Sequence, residues 1–233
     1  MLGLRLPSGD AVSDDEEGLP EAVQAPLVVD VEFGEVEVQS HKPRDIGQAT
    51  IREPLDLPLP EATPEGQARV VTVINQKGGV AKTTTVINVA AHLALLGVKV
   101  LVVDCDSQGN CATGFGIDKS RVRYGTRTLL LDPEKAIEAR HATAVDNLHL
   151  VVGDRSLVGV EEELISQLGR ERRLAEGLEA LLPFYDLILI DTPPSLGLVT
   201  INALVASDAV LIPVQTEYFA LEGLALLAST IKE

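Results

Sequence analysis

The sequence predicts an α/β fold: a mostly parallel, doubly wound sheet with helices on both faces. Three observations predict it. From Arg69 onward, short apolar runs alternate with amphipathic stretches of helical period, the order that builds a parallel sheet covered on both sides. A glycine-rich segment joins the first apolar run to the first helical one. Two later apolar runs end in aspartate, at Asp104 and Asp191, and ligands bind outside the C-terminal ends of strands in such sheets.

The first strand is expected at 70–75 and the first helix at 83–96, stopped by Gly97. A second strand runs 98–103, and a loop continues to Gly116. An irregular stretch then leads to a third strand near 148–152. Helices are expected at about 157–168 and 171–182, followed by the wholly apolar strand 187–190. A helix at 199–206, a strand at 209–214 and a helix from about 219 complete the pattern. There are no internal repeats and no coiled-coil heptads.

The segment Asn75-Gln-Lys-Gly-Gly-Val-Ala-Lys-Thr-Thr-Thr85 lies between the first strand and the first helix. A glycine-rich turn opening a helix offers backbone N–H groups and a helix N-terminus to a phosphate. Lys77, Gly78, Gly79, Val80, Ala81, Lys82, Thr83 and Thr84 are the expected nucleotide contacts. Lys82 suits the β/γ oxygens, and the Thr83 hydroxyl suits Mg²⁺. The ordinary phosphate-loop spacing would need glycines at 76 and 81, where this chain has Gln76 and Ala81. It fits instead the deviant form K-G-G-x-G-K-[ST], with Ala81 as the one departure. Alanine is acceptable there unless the backbone must take a positive φ. Lys77, at the start of the loop, is poorly placed for its own phosphates. It suits a partner's nucleotide across a dimer interface, as an arginine finger does in trans.

Charge divides the chain. Residues 1–68 carry 15 Asp/Glu against 4 Lys/Arg and 8 of the 13 prolines, whereas 69–233 carry 20 against 15. The first segment therefore reads as a disordered acidic extension, and 69–233 as one α/β domain. Residues 28–38 alternate apolar and acidic and suggest a short strand. No signal peptide and no apolar run long enough to span a bilayer is seen, so a cytoplasmic protein without membrane association is expected. Cys105 and Cys111 match no common zinc spacing and read as bystanders.

Asp191 closes Tyr-Asp-Leu-Ile-Leu-Ile-Asp (185–191), an apolar run plus carboxylate that can accept from the Thr83 hydroxyl or from a metal-bound water. Of Asp104 and Asp106, one can face the attacking water and the metal shell while the other fixes the loop. Thr83, Asp106 and Asp191 are the candidate Mg²⁺ ligands. Asp191-Thr-Pro-Pro-Ser-Leu-Gly197 forms a stiff loop suited to sensing the γ-phosphate.

These motifs, together with Thr200–Asp208 and Pro213–Leu224, resemble the ParA/Soj partition ATPases, deviant-Walker-A P-loop NTPases related to MinD and the nitrogenase iron protein. The likeness covers about 69–233. It implies an ATP-dependent homodimer with Lys77 touching the partner's phosphates, Lys82 gripping its own, Thr83 holding Mg²⁺ and Asp106 orienting the attacking water. It further implies non-specific DNA binding, nucleoid association, and a ParB-type partner that stimulates hydrolysis during chromosome or plasmid segregation. Family domains run some eighty residues further, so the chain is expected to be C-terminally truncated, without the adenine- and DNA-contacting residues. Arg121, Arg123, Arg127, Arg170, Arg172 and Arg173 read as solvated surface charge. The other reading is a weakly or non-hydrolysing regulator that binds a full-length paralogue or a ParB-like partner. A membrane-cycling MinD-like role would need a basic amphipathic C-terminus, which Leu224–Glu233 does not provide.

Overall fold

The computed structural model describes residues 68–215. The acidic segment before Ala68, the alternating stretch 28–38 and the helix expected from 219 lie outside the described residues. In chain order the elements are β1 (Arg69–Val73), α1 (Lys82–Leu95), β2 (Val100–Asp104), α2 (Asn110–Gly114), α3 (Thr126–Leu131), β3 (Arg140–Ala142), β4 (Leu148–Val151), α4 (Val160–Ile165), α5 (Arg173–Glu179), β5 (Leu187–Asp191), α6 (Leu198–Val205) and β6 (Ala209–Leu211). They build a six-stranded sheet of order β3-β4-β2-β5-β1-β6. Every pairing is parallel except β3 with β4.

Alternation within the strands divides the core into two layers. Leu101, Val103, Ile188 and Ile190 face Leu130, Leu164, Leu174, Leu178 and Ala203 of α3–α6. Val100, Val102 and Leu189 face Val86, Ala90 and Ala94 of α1 and Cys111 and Ala112 of α2. Both faces being covered explains why β2 is buried along its whole length and reads as an unbroken apolar run. The register sets Asp104 beside Asp191, and Val73 beside Asp191 on the other flank. Three strand ends thus meet where the glycine-rich loop leaves β1.

The stretch after Gly116, expected to be irregular, contains α3, two 3-10 segments (Lys119–Arg121 and Pro133–Ala139) and the antiparallel edge strand β3. β3 is three residues long, and it buries Arg140 and His141, so it carries no apolar alternation to read. The helices expected at 157–168 and 171–182 are shorter, at 160–165 and 173–179. Gly159 (φ 86°) and Gly169 (φ 66°) take left-handed backbone at their margins. The last strand is confined to 209–211.

Beneath β4, the Tyr185 hydroxyl is hydrogen-bonded to His149 Nδ1 at 3.1 Å, with the rings edge to face. Burial, with a smaller contribution from the nearby Arg140 charge, pushes His149 down to about 4. The unfolded chain therefore binds this proton more tightly. The stability held by neutral His149 is complete above the ordinary value of 6.5 and is lost as pH falls towards 4. His149→Gln should remove roughly 2–3 kcal/mol of the stability change across that window, read as a flatter dependence of the denaturation midpoint on pH.

Candidate functional site

The loop between β1 and α1 is tied down at both ends. Asn75 Nδ2 donates to Pro213 O at 2.9 Å, and Lys77 N donates to Asn75 Oδ1 at 2.9 Å. Gln215 Nε2 donates to Gly79 O at 3.2 Å. Lys77, Gly78, Gly79 and Thr84 are exposed, and Val80 is buried. Among the described residues no side chain caps the start of α1, which leaves its first-turn N–H groups available to an anion. Lys82 lies at 7% exposure, its Nζ donating to Lys77 O at 3.1 Å across the loop. Burial lowers its pKa, opposed by the charges of Asp191 and Asp106.

Ala81 adopts φ 63°, ψ 28°, so the condition set above for tolerating alanine is not met. This position does require left-handed backbone, at a cost of about 1 kcal/mol for a residue with a Cβ. Ala81→Gly should raise the melting temperature by roughly 1–3 °C, part of the relieved strain being offset by the greater freedom of glycine in the unfolded chain.

Asp191 Oδ2 accepts from Thr83 Oγ1 at 2.6 Å and from Cys111 Sγ at 3.5 Å. Its Oδ1 is buried with no hydrogen-bond partner among the described residues. Asp104 Oδ1 accepts from Asp106 N at 3.0 Å and Oδ2 from Cys111 N at 3.1 Å. Of the two roles open to the aspartate pair, Asp104 is therefore positioned to fix the loop. Half-buried Asp106 turns one oxygen onto Gln108 N, at 2.9 Å. Burial, then the neighbouring Asp191 charge, pushes Asp104 up to about 7. Burial also raises Asp191, opposed by its bonds from Thr83 and Cys111. Lys119 Nζ braces the same loop through Gln108 O at 2.8 Å and Gly109 O at 3.3 Å.

The loop after β5 is held by Thr192 Oγ1 on Val73 O (2.9 Å) and Thr200 Oγ1 on Ser195 O (2.8 Å). Glu161 of α4 accepts from Val199 N at 3.1 Å, so its carboxylate steadies the entry to α6. The arginines at 127, 170 and 173 pair with Glu163, Glu171 and Glu176.

Lys82, Thr83, Asp106 and Asp191 thus gather at the C-terminal ends of the central strands β1, β2 and β5, with Lys77 on the exposed side of the loop. Cys111 corrects the expectation for the cysteines. Gly109 turns with φ 63°, α2 starts at Asn110, and Cys111 faces inward onto both Asp104 and Asp191. Cys105 is packed into the opposite core layer. The cysteine spacing carries no sign of this, because the two partners of Cys111 are aspartates, one seven and the other 80 residues away in sequence.

A family model described as an AAA domain matches residues 68–233. The chain is 49% identical over 164 residues to the sporulation initiation inhibitor protein Soj of Bacillus subtilis, covering 70% of this chain and 65% of that protein. It is 48% identical over 163 residues to the chromosome partitioning protein ParA of Myxococcus xanthus, covering 70% and 58%. The chain belongs to the ParA/Soj-type P-loop ATPases. It spans somewhat under two thirds of the length of these relatives. Among solved structures, this ParA/Soj-type chain is similar to one described as cobyrinic acid a,c-diamide synthase from Mycobacterium smegmatis with bound ATP analog and magnesium. The TM-score is 0.66 at 38% identity, over 71% of this chain and 67% of that one. It is also similar to a putative plasmid partition protein of Borrelia burgdorferi bound to AMPPNP, with TM-score 0.62 and 28% identity, over 71% and 70%. The ParA/Soj assignment agrees with the doubly wound, mostly parallel sheet and its phosphate loop.

Proposed function

We propose that this chain binds and hydrolyses ATP as a partition protein. It would form a nucleotide-dependent homodimer, bind DNA without sequence preference, and segregate a chromosome or plasmid with a ParB-type partner in the cytoplasm. The observation that carries this reading is the grouping of buried Lys82 with the 2.6 Å Thr83–Asp191 hydrogen bond at the mouth of an uncapped helix. Among the described residues no helix is long and apolar enough to cross a membrane.

The residues fit Mg²⁺-nucleotide. Thr83, Asp106 and Asp191 supply hard oxygen donors, and Asp191 Oδ1 is buried without a partner among the described residues. Bound there, Mg²⁺ would neutralise charge developing on the transferred phosphoryl group. The protein's own part is electrostatic positioning. Loop N–H groups at 78–83 hold phosphate oxygens, and Lys82 exchanges its internal bond to Lys77 O for a phosphate oxygen. Asp191 orients the Thr83 hydroxyl, Asp104 holds the loop, and Asp106 orients the attacking water. Lys77, on the exposed rim, reaches across to the partner's nucleotide.

Lys77→Ala is expected to keep ATP affinity within about threefold, since the lysine serves the other protomer, while abolishing ATP-dependent dimers in sedimentation velocity. Nucleotide-dependent dimers persisting in this variant would refute the trans role. ATP turnover measured with and without DNA distinguishes a hydrolysing protein from a silent regulator.

A further inference from the structure

Asp104, Cys111 and Asp191 are each completely buried, and one ligating atom from each lies within 4.8 Å of the others. Among the described residues, their hydrogen bonds leave one atom over: Asp191 Oδ1 has no partner. The sulfur changes which cation the pocket suits. Thiolate favours cations of the zinc class, whereas Mg²⁺ takes oxygen.

We propose that Asp104, Cys111 and Asp191 form a site for a thiophilic divalent cation of the zinc class, sharing Asp191 with the phosphate-binding site. The spacing is already close to what such a cation needs. Metal–sulfur and metal–oxygen bonds of about 2.3 and 2.0 Å at a tetrahedral angle place sulfur and oxygen about 3.5 Å apart. Cys111 Sγ and Asp191 Oδ2 are 3.5 Å apart. Three protein ligands leave a fourth position for water. On binding, the Cys111 thiol gives up its proton to solvent and sulfur becomes a thiolate ligand. The cation approaches from the Asp106–Gln108 side, where Asp106 is half-buried and Gln108 exposed. Occupancy draws the Asp191 carboxylate away from the Thr83 hydroxyl. Resting on the nucleotide-binding reading for this consequence alone, zinc should therefore weaken Mg-ATP binding.

The test is titration of the full chain with Co²⁺ in buffer free of Mg²⁺ and nucleotide, followed by ultraviolet absorption. A saturable thiolate-to-cobalt charge-transfer band is expected, bleached by Zn²⁺. The band should be retained in Cys105→Ala, lost in Cys111→Ala and weakened at least about tenfold in Asp104→Asn. Circular dichroism of Cys111→Ala confirms that the fold is kept. Absence of the band from the native chain, or its survival in Cys111→Ala, overturns the proposal. Because the band reports the thiolate directly, its failure is distinguishable from a failure to bind ATP.

Discussion

Lys82→Ala is expected to abolish measurable ATP binding: each hydrogen bond from a charged donor contributes about 1.5–3 kcal/mol, roughly ten- to hundredfold, and losing two such bonds to the phosphates exceeds a hundredfold. The ammonium is held in a nearly closed environment at 7% exposure, where desolvation already lowers its pKa. A cation in such surroundings gains more from an incoming phosphate than a solvated one does, because water screens the pair less. The side chain spans the loop by bonding to Lys77 O, so truncation also removes an internal brace. Two measurements separate these effects. Calorimetry with Mg-ATP should lose its heat, while thermal unfolding without nucleotide should shift by only a few degrees. A Lys82→Ala variant with native ATP affinity would remove Lys82 from the site.

Gly153→Ala should give the second large effect, on the frame of the site. An added Cβ would meet Asp104 O at 2.4 Å and Asp106 O at 2.6 Å, with Asp104 C at 3.0 Å. All three are backbone atoms, so no side-chain rotation relieves the clash. Either the turn after β4 or the Asp104–Asp106 loop must move. The expected cost is about 3 kcal/mol, at the upper end for overpacking, or a melting temperature lower by roughly 6–12 °C. Displacing the loop that carries Asp104 and Asp106 should also weaken ATP binding. Gly78→Ala is the control for stability, because nothing among the described residues lies within 4 Å of its added Cβ and its φ is not positive. It should melt within about a degree of the native chain.

The sequence made the centre of this fold legible, and its flank much less so. β2 and β5 are buried on both faces, so their apolar runs are continuous and bounded by aspartate. The β1–loop–α1 segment announces itself through glycine and lysine spacing alone. β3 escaped because its pattern is hidden by a buried arginine and histidine on an edge strand three residues long. Around the site, local spacing identified the residues that line the loop and end the strands. It did not reveal that Cys111 packs onto Asp191, 80 residues away in sequence. Nor did it show that Ala81 takes left-handed backbone, since an alanine carries no mark of the φ it will adopt.

If the β1–α1 loop grips a triphosphate through Lys82 and the α1 N-terminus, a calorimetric titration of Mg-ATP into the full chain tests it most directly. A saturable heat with one nucleotide bound per chain is the expected result. Injections that yield only the heat of dilution, with correctly folded protein in the cell, would contradict it.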